Sequence, residues 1–208
     1  MAVVPVRYRM DMSQGKRESL TIDDWTGAAL GAIARGGLAA VAVEPLAKEL
    51  GTTKGSFYWH FGDRNELIGA ALARWEERDT DLVIAAVDHG ADATARLRNL
   101  LQLAFSGVRV GSGPGAGSVE LALQANAAHP LVAASLGRVT ERRLAYLTTL
   151  FTELGMSPAR ARDRGLLAYS AYLGHAQLVH ATPEVLPQGR AFGTHVRRVV
   201  DALVRLDD

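Results

Sequence analysis

Residues 53 to 60 hold the densest run of side chains that could act on a partner: Thr53, Lys54, Gly55, Ser56, Tyr58, Trp59 and His60. Read as a helix begun by Thr53, the segment has two faces. Phe57 and Phe61, four apart, can pack inward, while Lys54 and Tyr58, also four apart, fall on the other side with Gly55 and Trp59. Lysine neutralises phosphate, tyrosine and histidine donate to phosphate oxygens, and glycine lets another backbone approach closely. The first amides of the helix add favourable dipole charge. Taken singly, Lys54 reads as a solvated lysine, Trp59 as a core aromatic and His60 as a helix-end cap. Taken together, they describe a nucleic-acid surface.

Helices on either side must hold that segment in place. Thr21 caps a helix with Asp24 as its capping-box partner. Ile22, Trp25, Ala29 and Ile33 then recur on one face until Gly36 and Gly37 stop it. A second, short helix over 43–50 carries Pro45 in its first turn, buries Leu46, Ala47 and Leu50, and ends at Gly51. The segment from Thr53 to His60 follows at once, which is the size and order of a helix-turn-helix. Gly62 breaks it, Asp63 and Glu66 form the next capping box, and a fourth helix presents Leu67, Ile68, Ala71, Leu72 and Trp75.

Helical spacing also dominates the remainder. Helices are expected over 92–106, 118–128, 130–154, 158–181 and 188–206, with Leu97, Leu100, Leu101 and Ala104 inward in the first. Ser157 is expected to cap the helix that begins at Pro158. The chain is therefore expected to be all-α: a three-helix head carrying the helix-turn-helix, and a larger helical body.

Net charge is only +1, and residues 1–60 hold seven lysines and arginines against six acids. A nucleic-acid surface would need its positive charge gathered onto one face. The arm before Glu18 contributes Arg7, Arg9, Lys16 and Arg17 against Asp11. There is no cysteine, which excludes disulfides and thiol chemistry. Met1 to Gly15 contains no continuous apolar segment, and Leu38–Val43 is far shorter than the roughly 18 residues of a membrane span. A cytoplasmic protein is expected.

Enzyme signals are missing. No His-Glu-x-x-His or Gly-x-Ser-x-Gly pattern occurs, and His175 and His180 are five apart, a poor helical pair for a metal. The run Gly111-Ser112-Gly113-Pro114-Gly115-Ala116 fits a dinucleotide fingerprint in form. It lacks the flanking βαβ unit and a following acid for a ribose, so a connector between helices is expected over Gly111–Gly117. No catalytic residue, metal ligand or cofactor is assigned.

The run Thr53-Lys54-Gly55-Ser56-Phe57-Tyr58-Trp59-His60-Phe61, with Asp63 and Glu66-Leu67, resembles the recognition-helix signature of the tetracycline-repressor (TetR) family. Gly37-Leu38 and Leu46-Ala47-Lys48-Glu49-Leu50-Gly51 match that family's first two helices in order and spacing. The resemblance covers residues 20 to 70. It implies operator DNA as partner, met by Thr53, Lys54, Gly55, Ser56, Tyr58, Trp59 and His60, with bases read early in the helix and phosphates held by later residues. Two departures stand out. Ala42 replaces a threonine that commonly caps the second helix, and Gly62 replaces a common lysine. Both remove a backbone anchor, which the basic arm or Arg64 would have to supply.

On that resemblance, residues 1–20 form a flexible basic arm, 21–66 the DNA-binding head, and 67–208 a body for ligand binding and dimerisation. It implies a homodimer through the last two helices, where Ala168, Ala171, Tyr172, Leu178, Val196, Val199, Val200 and Leu203 are expected at the seam. It also implies a body pocket for a small-molecule inducer. Polar residues within apolar stretches are candidates for its wall: Gln102, Glu120, Gln124, Asn126, Tyr146, Tyr169, Tyr172 and His175, with Phe105 and Phe151 as apolar lining. A repressor released from DNA by that inducer is the expectation. The competing readings are a helical interaction module whose helix-turn-helix contacts protein, and a nucleotide-binding enzyme using the Gly111–Gly117 loop.

Overall fold

The computed structural model describes residues 20–89, 92–108 and 116–205. The arm up to residue 19 and most of the Gly111–Gly117 segment lie outside them. Among the described residues there are ten α-helices and no strand: α1 Ile22–Gly36, α2 Val43–Glu49, α3 Lys54–Tyr58, α4 Arg64–Glu76, α5 Leu82–Val87, α6 Ala93–Gly107, α7 Ala116–Gln124, α8 Pro130–Glu153, α9 Pro158–Ala181 and α10 Arg190–Val204. None of the helices among the described residues is long and apolar enough to cross a membrane.

Local chemistry sets the boundaries of the head. Thr21 Oγ1 accepts from the Asp24 amide at 3.2 Å, and the Asp24 carboxylate accepts from the Thr21 amide at 2.8 Å. This capping box offsets two of the donors a helix start leaves unpaired. Gly37 ends α1 at φ 65, a conformation that suits glycine, and its amide returns to the Ile33 carbonyl. A side chain there would also collide with Asn126 Nδ2, at 2.9 Å from the added carbon. Asn126 is thereby placed against the head, away from the body pocket expected for it.

Three expected caps differ. Thr53 and Ser157 occupy N-cap positions with extended backbone but make no side-chain cap bond. Glu66 reaches past Asp63 to accept from the Gly62 amide at 2.6 Å, although Asp63 still caps Glu66 as expected. Ala42 begins α2 with no cap at all.

One core fills the head. Trp25, Phe57, Leu67, Ile68 and Trp75 are fully enclosed, with Trp25 edge-on to Phe57 at 5.5 Å and Phe57 stacked on Phe61. Ile22, expected on that face, is exposed, while Leu20 just before the helix packs against the core instead. The same core takes in Val119 and Leu123 of α7 and Val132 and Val139 of α8. The boundary expected at 66/67 thus falls within a helix whose apolar face belongs to the head.

Arg64 ties the head together. Its Nε donates to the Val41 carbonyl at 2.6 Å and its Nη2 to the Leu38 carbonyl, satisfying the turn between α1 and α2. Two of its five guanidinium donors are thereby engaged within the head.

The rod that leaves the head is continuous but changes pitch. Between α4 and α5, residues Glu77–Asp81 form a π turn. Bonds from α8 grip this stretch: Ser135 and Arg138 on Glu76, Arg142 on Asp81, and Arg143 on Thr80 and the Asp79 carbonyl. Side chains bonded into a helical ladder are a recognised cause of such a bulge.

A second core joins α6, α8, α9 and α10 through Leu97, Leu101, Phe105, Leu147, Phe151, Ala168, Val196 and Val200. Gly165 lets α9 approach α8, since an added carbon there would sit 3.3 Å from Leu147 Cβ. Most of the expected seam is interior: Ala168, Val196, Val200 and Leu203 are buried within one chain, Ala171, Tyr172 and Val199 partly so, and only Leu178 is exposed. The exposed face of α9 is instead Leu166, Leu167, Ser170, Gly174 and Leu178.

His175 is buried among Phe105, Phe192 and His195, with ring centroids 5.1, 5.6 and 6.1 Å away. Burial, reinforced by the nearby His195, lowers its pKa below the ordinary histidine value.

Two outcomes follow from these local features. Replacing Ala42 by Thr should add the missing cap and stabilise the chain by about 1 kcal/mol, read as a Tm rise of a few degrees; an unchanged Tm would mean the α2 start is satisfied another way. For His175, the unfolded imidazole takes up a proton near pH 6.5, which the folded one resists. Stability should therefore be complete above that pH and fall as pH drops below it. The Tm of His175→Phe should decline less between pH 7 and 5.5, and equal slopes would exclude this histidine as the cause.

Candidate functional site

The surface segment is built as two opposed faces. Phe57 and Phe61 are 0% and 4% exposed, which anchors α3 by its inner side. Thr53, Lys54, Gly55, Tyr58 and Trp59 lie exposed on the outer side, and Ser56 and His60 are half-buried beside them. Trp59 reaches 88% exposure, so a large aromatic stands uncovered by the other described residues. An alanine side chain at Gly55 would meet only Thr53 Oγ1, at an ordinary 3.5 Å. The protein itself does not demand glycine there, so the requirement, if any, comes from outside.

One partner of the segment was not legible from its own residues. Lys54 Nζ donates to Glu44 Oε1 at 3.1 Å across the turn, and this hydrogen bond raises the lysine pKa. Both side chains are exposed, so the pair is held loosely. Lys54 remains available to a stronger anion, though it meets competition from Glu44.

The body contains a cavity of about 240 Å³ beside the π turn. Asp79, Thr80, Val83 and Ile84 of the connecting rod form one wall. Leu100, Leu101, Leu103 and Ala104 of α6 and Leu147 of α8 supply apolar lining, and Arg143, Tyr146, Tyr169 and Tyr172 close the polar side. Of the ten side chains expected around a ligand, Asn126 lies against the head, and Tyr146, Tyr169 and Tyr172 line this space. Glu120 stands directly behind it. Gln102 bonds to Ser106, Phe105 and Phe151 are core, Gln124 lies on α7, and His175 sits in its own aromatic niche; none of these five lines the cavity. A sequence shows that an aromatic is buried but not whether it faces a void or another side chain.

The polar side is organised by a pair of buried charges. Arg143 Nη1 donates to both oxygens of Glu120, at 2.9 and 2.8 Å, and Glu120 is 2% exposed. Tyr169 and Tyr172 donate to the same carboxylate at 3.0 and 3.1 Å. The guanidinium also lies 5.8 to 6.0 Å from the rings of Trp75, Tyr169 and Tyr172, within cation–π range. Burial and the Glu120 charge push the Tyr172 hydroxyl well above the ordinary tyrosine value, so it stays protonated and can donate. Tyr146, bonded to Asp88 at 3.0 Å, is pushed up to about 12 by burial and by that bond. At the neighbouring grip, burial pushes the Glu76 carboxyl up, but the bonds from Arg138 and Ser135 outweigh it and hold the pKa below its usual range.

Arg143 was missed at the sequence level, although a signal existed. Ser135, Val139, Arg143, Leu147 and Phe151 recur every four residues, so the arginine interrupts an apolar stripe of α8. A charge in that position needs a buried partner.

Residues 26–71 match the family model for bacterial regulatory proteins of the tetR family. No curated protein matches the sequence. Among solved structures, the chain is similar to a transcriptional regulator from Rhodococcus sp. Rha1, at 18% identity and TM-score 0.72, covering 89% of this chain and 94% of that one. It is similar to a putative transcriptional regulator from Saccharomonospora viridis in complex with choline, at 18% identity and TM-score 0.68, covering 88% and 94%. It is also similar to AibR in complex with isovaleryl coenzyme A and operator DNA, at 17% identity and TM-score 0.63, covering 88% and 95%. Residues 26–71, which span most of α1 through the first half of α4, therefore match the model of this family, and the chain has the fold of these solved structures.

Proposed function

We propose that the chain is a cytoplasmic, homodimeric repressor that binds operator DNA through α3 and its flanks and is released when a small molecule enters the body cavity. The observation that carries this reading is the outward set Lys54, Gly55, Tyr58 and Trp59 on a short helix fixed from behind by Phe57 and Phe61. Thr53 and Ser56 flank it for base or phosphate contact, and His60 adds a phosphate donor. The likeness to a regulator bound to operator DNA and an acyl coenzyme A, and to one bound to choline, supports both halves of the reading.

The dimer is drawn through α9 and α10, with the exposed Leu166, Leu167 and Leu178 of α9 as its apolar contacts and Ser170 and Gly174 allowing close approach. Two-fold symmetry then sets the α3 helices one helical turn of DNA apart, about 34–36 Å. A ligand pressing on Thr80, Val83 and Ile84 moves the rod that begins at Arg64, immediately behind the recognition segment. Release works only as far as the ligand prefers the wrong-spaced state. Passing from nearly all bound to nearly all free takes roughly 5.5 kcal/mol of differential affinity.

On the duplex upstream of its own gene, Lys54→Ala should lower the salt dependence of binding by about one unit of slope. Glu44→Gln should tighten binding several-fold by freeing Lys54. Slopes unchanged in both variants would exclude Lys54 as a phosphate contact. In sedimentation at micromolar concentration the native chain should run as a dimer and Leu167→Arg as a monomer that no longer binds the duplex; a native monomer would remove the spacing mechanism. Repeating the DNA titration across a small-molecule library tests the inducer, and a library without any releasing compound would count against ligand control.

A further inference from the structure

The polar side of the cavity has a hydrogen-bonding capacity that can be accounted for donor by donor. A guanidinium carries five N–H donors. In Arg143, Nε donates to Thr80 Oγ1 at 3.0 Å, Nη1 to both Glu120 oxygens, and Nη2 to the Asp79 carbonyl at 3.1 Å. One Nη2 hydrogen is left without an acceptor among the described residues. The tyrosine hydroxyl hydrogens are engaged too, Tyr146 on Asp88 and Tyr169 and Tyr172 on Glu120.

Asp79 completes the inventory. Its Oδ1 accepts from Arg78 Nε at 2.9 Å, and its side chain is 9% exposed. Its Oδ2 is buried with no donor among the described residues. The residue lines the cavity, so the wall holds one unused donor and one unused acceptor within a few bonds of each other. Buried polar atoms of this kind are costly unless something pairs with them.

The charges, by contrast, are already matched. Arg143 has Glu120, and Asp79 has Arg78. A carboxylate entering the cavity would approach an arginine that Glu120 has neutralised. An ammonium would approach an aspartate already paired, with Arg143 close by. Either ion would give up its hydration without a full counter-charge. The remaining wall, from Val83, Ile84, Leu100, Ala104 and Leu147, is apolar.

Resting on the reading of this cavity as the regulatory site, we infer that it takes an uncharged, chiefly apolar molecule of about a dozen non-hydrogen atoms, the number 240 Å³ holds at interior packing density. Its one polar group both accepts and donates a hydrogen bond, as a primary amide or an alcohol does. That group accepts from Arg143 and donates to Asp79.

The test is calorimetry on the full-length chain at pH 7 with three probes of one shape: 4-phenylbutanamide, 4-phenylbutanoate and 4-phenylbutylammonium. The amide should bind at least about tenfold more tightly than either ion. An ion that binds as tightly as the amide overturns the assignment of a neutral ligand. No binding by any of the three overturns the assigned size and chemistry, whereas the regulatory reading itself fails only if no library compound releases DNA. Ala104→Phe, which fills the cavity from α6, should abolish amide binding with the helical circular dichroism unchanged. Should that variant lose its fold, Leu103→Trp on the same wall serves instead; amide binding retained by a folded variant overturns the location.

Discussion

The body is organised around one largely buried ion pair. Arg143 on α8 and Glu120 on α7 would each be prohibitive to bury alone, and removing one partner of such a pair typically costs about 3–5 kcal/mol. Together, with the hydroxyls of Tyr169 and Tyr172 closing the carboxylate, they are tolerated, and they fix three helices in register. The same guanidinium continues to Thr80 and to the Asp79 carbonyl. The charge that orders the body therefore also holds the irregular turn in the rod that carries the head. A cavity wall and a mechanical joint share their supporting atoms.

That sharing would make the proposed ligand control physically economical. The π turn is not braced by Arg143 alone, because Arg138 and Ser135 hold Glu76 and Arg142 holds Asp81 along the same face of α8. A helix gripped at successive points has few ways to move. It can slide along α8 as a unit, or its extra residue can migrate. Either would carry α4, which is continuous with this stretch, so under the proposed function a ligand at Thr80 would act on the head through the rod.

Much of this architecture was legible in the residues. Capping chemistry and 3.6-residue spacing placed the head helices to within a residue or two, because Thr21, Asp24, Gly37 and the buried Trp25, Ala29 and Ile33 act over one or two turns. The two faces of α3 were legible for the same reason, since Phe57 and Phe61 differ in kind from Lys54 and Tyr58. What escaped was long-range. Arg64 was assigned to a phosphate because nothing nearby claims it, and its acceptors Leu38 and Val41 lie more than twenty residues back. Glu44 opposite Lys54 is hidden in the same way. In the body, Tyr146, Tyr169 and Tyr172 stand out in the sequence as polar groups in apolar surroundings and line the cavity, whereas Phe105 and Phe151 share that apolar context and face only neighbours.

The closure of the head core by α7 and α8 has a consequence for engineering. Val119, Leu123, Val132 and Val139 cover apolar surface that α1 and α4 would otherwise present to water, and Asn126 fits the one gap that Gly37 leaves. A chimaera spliced between the head of this chain and the body of another would have to supply matching side chains on two distant helices. The exchangeable unit is accordingly a head together with the helices that roof it, and specificity for DNA and response to a foreign effector can be recombined only along that seam.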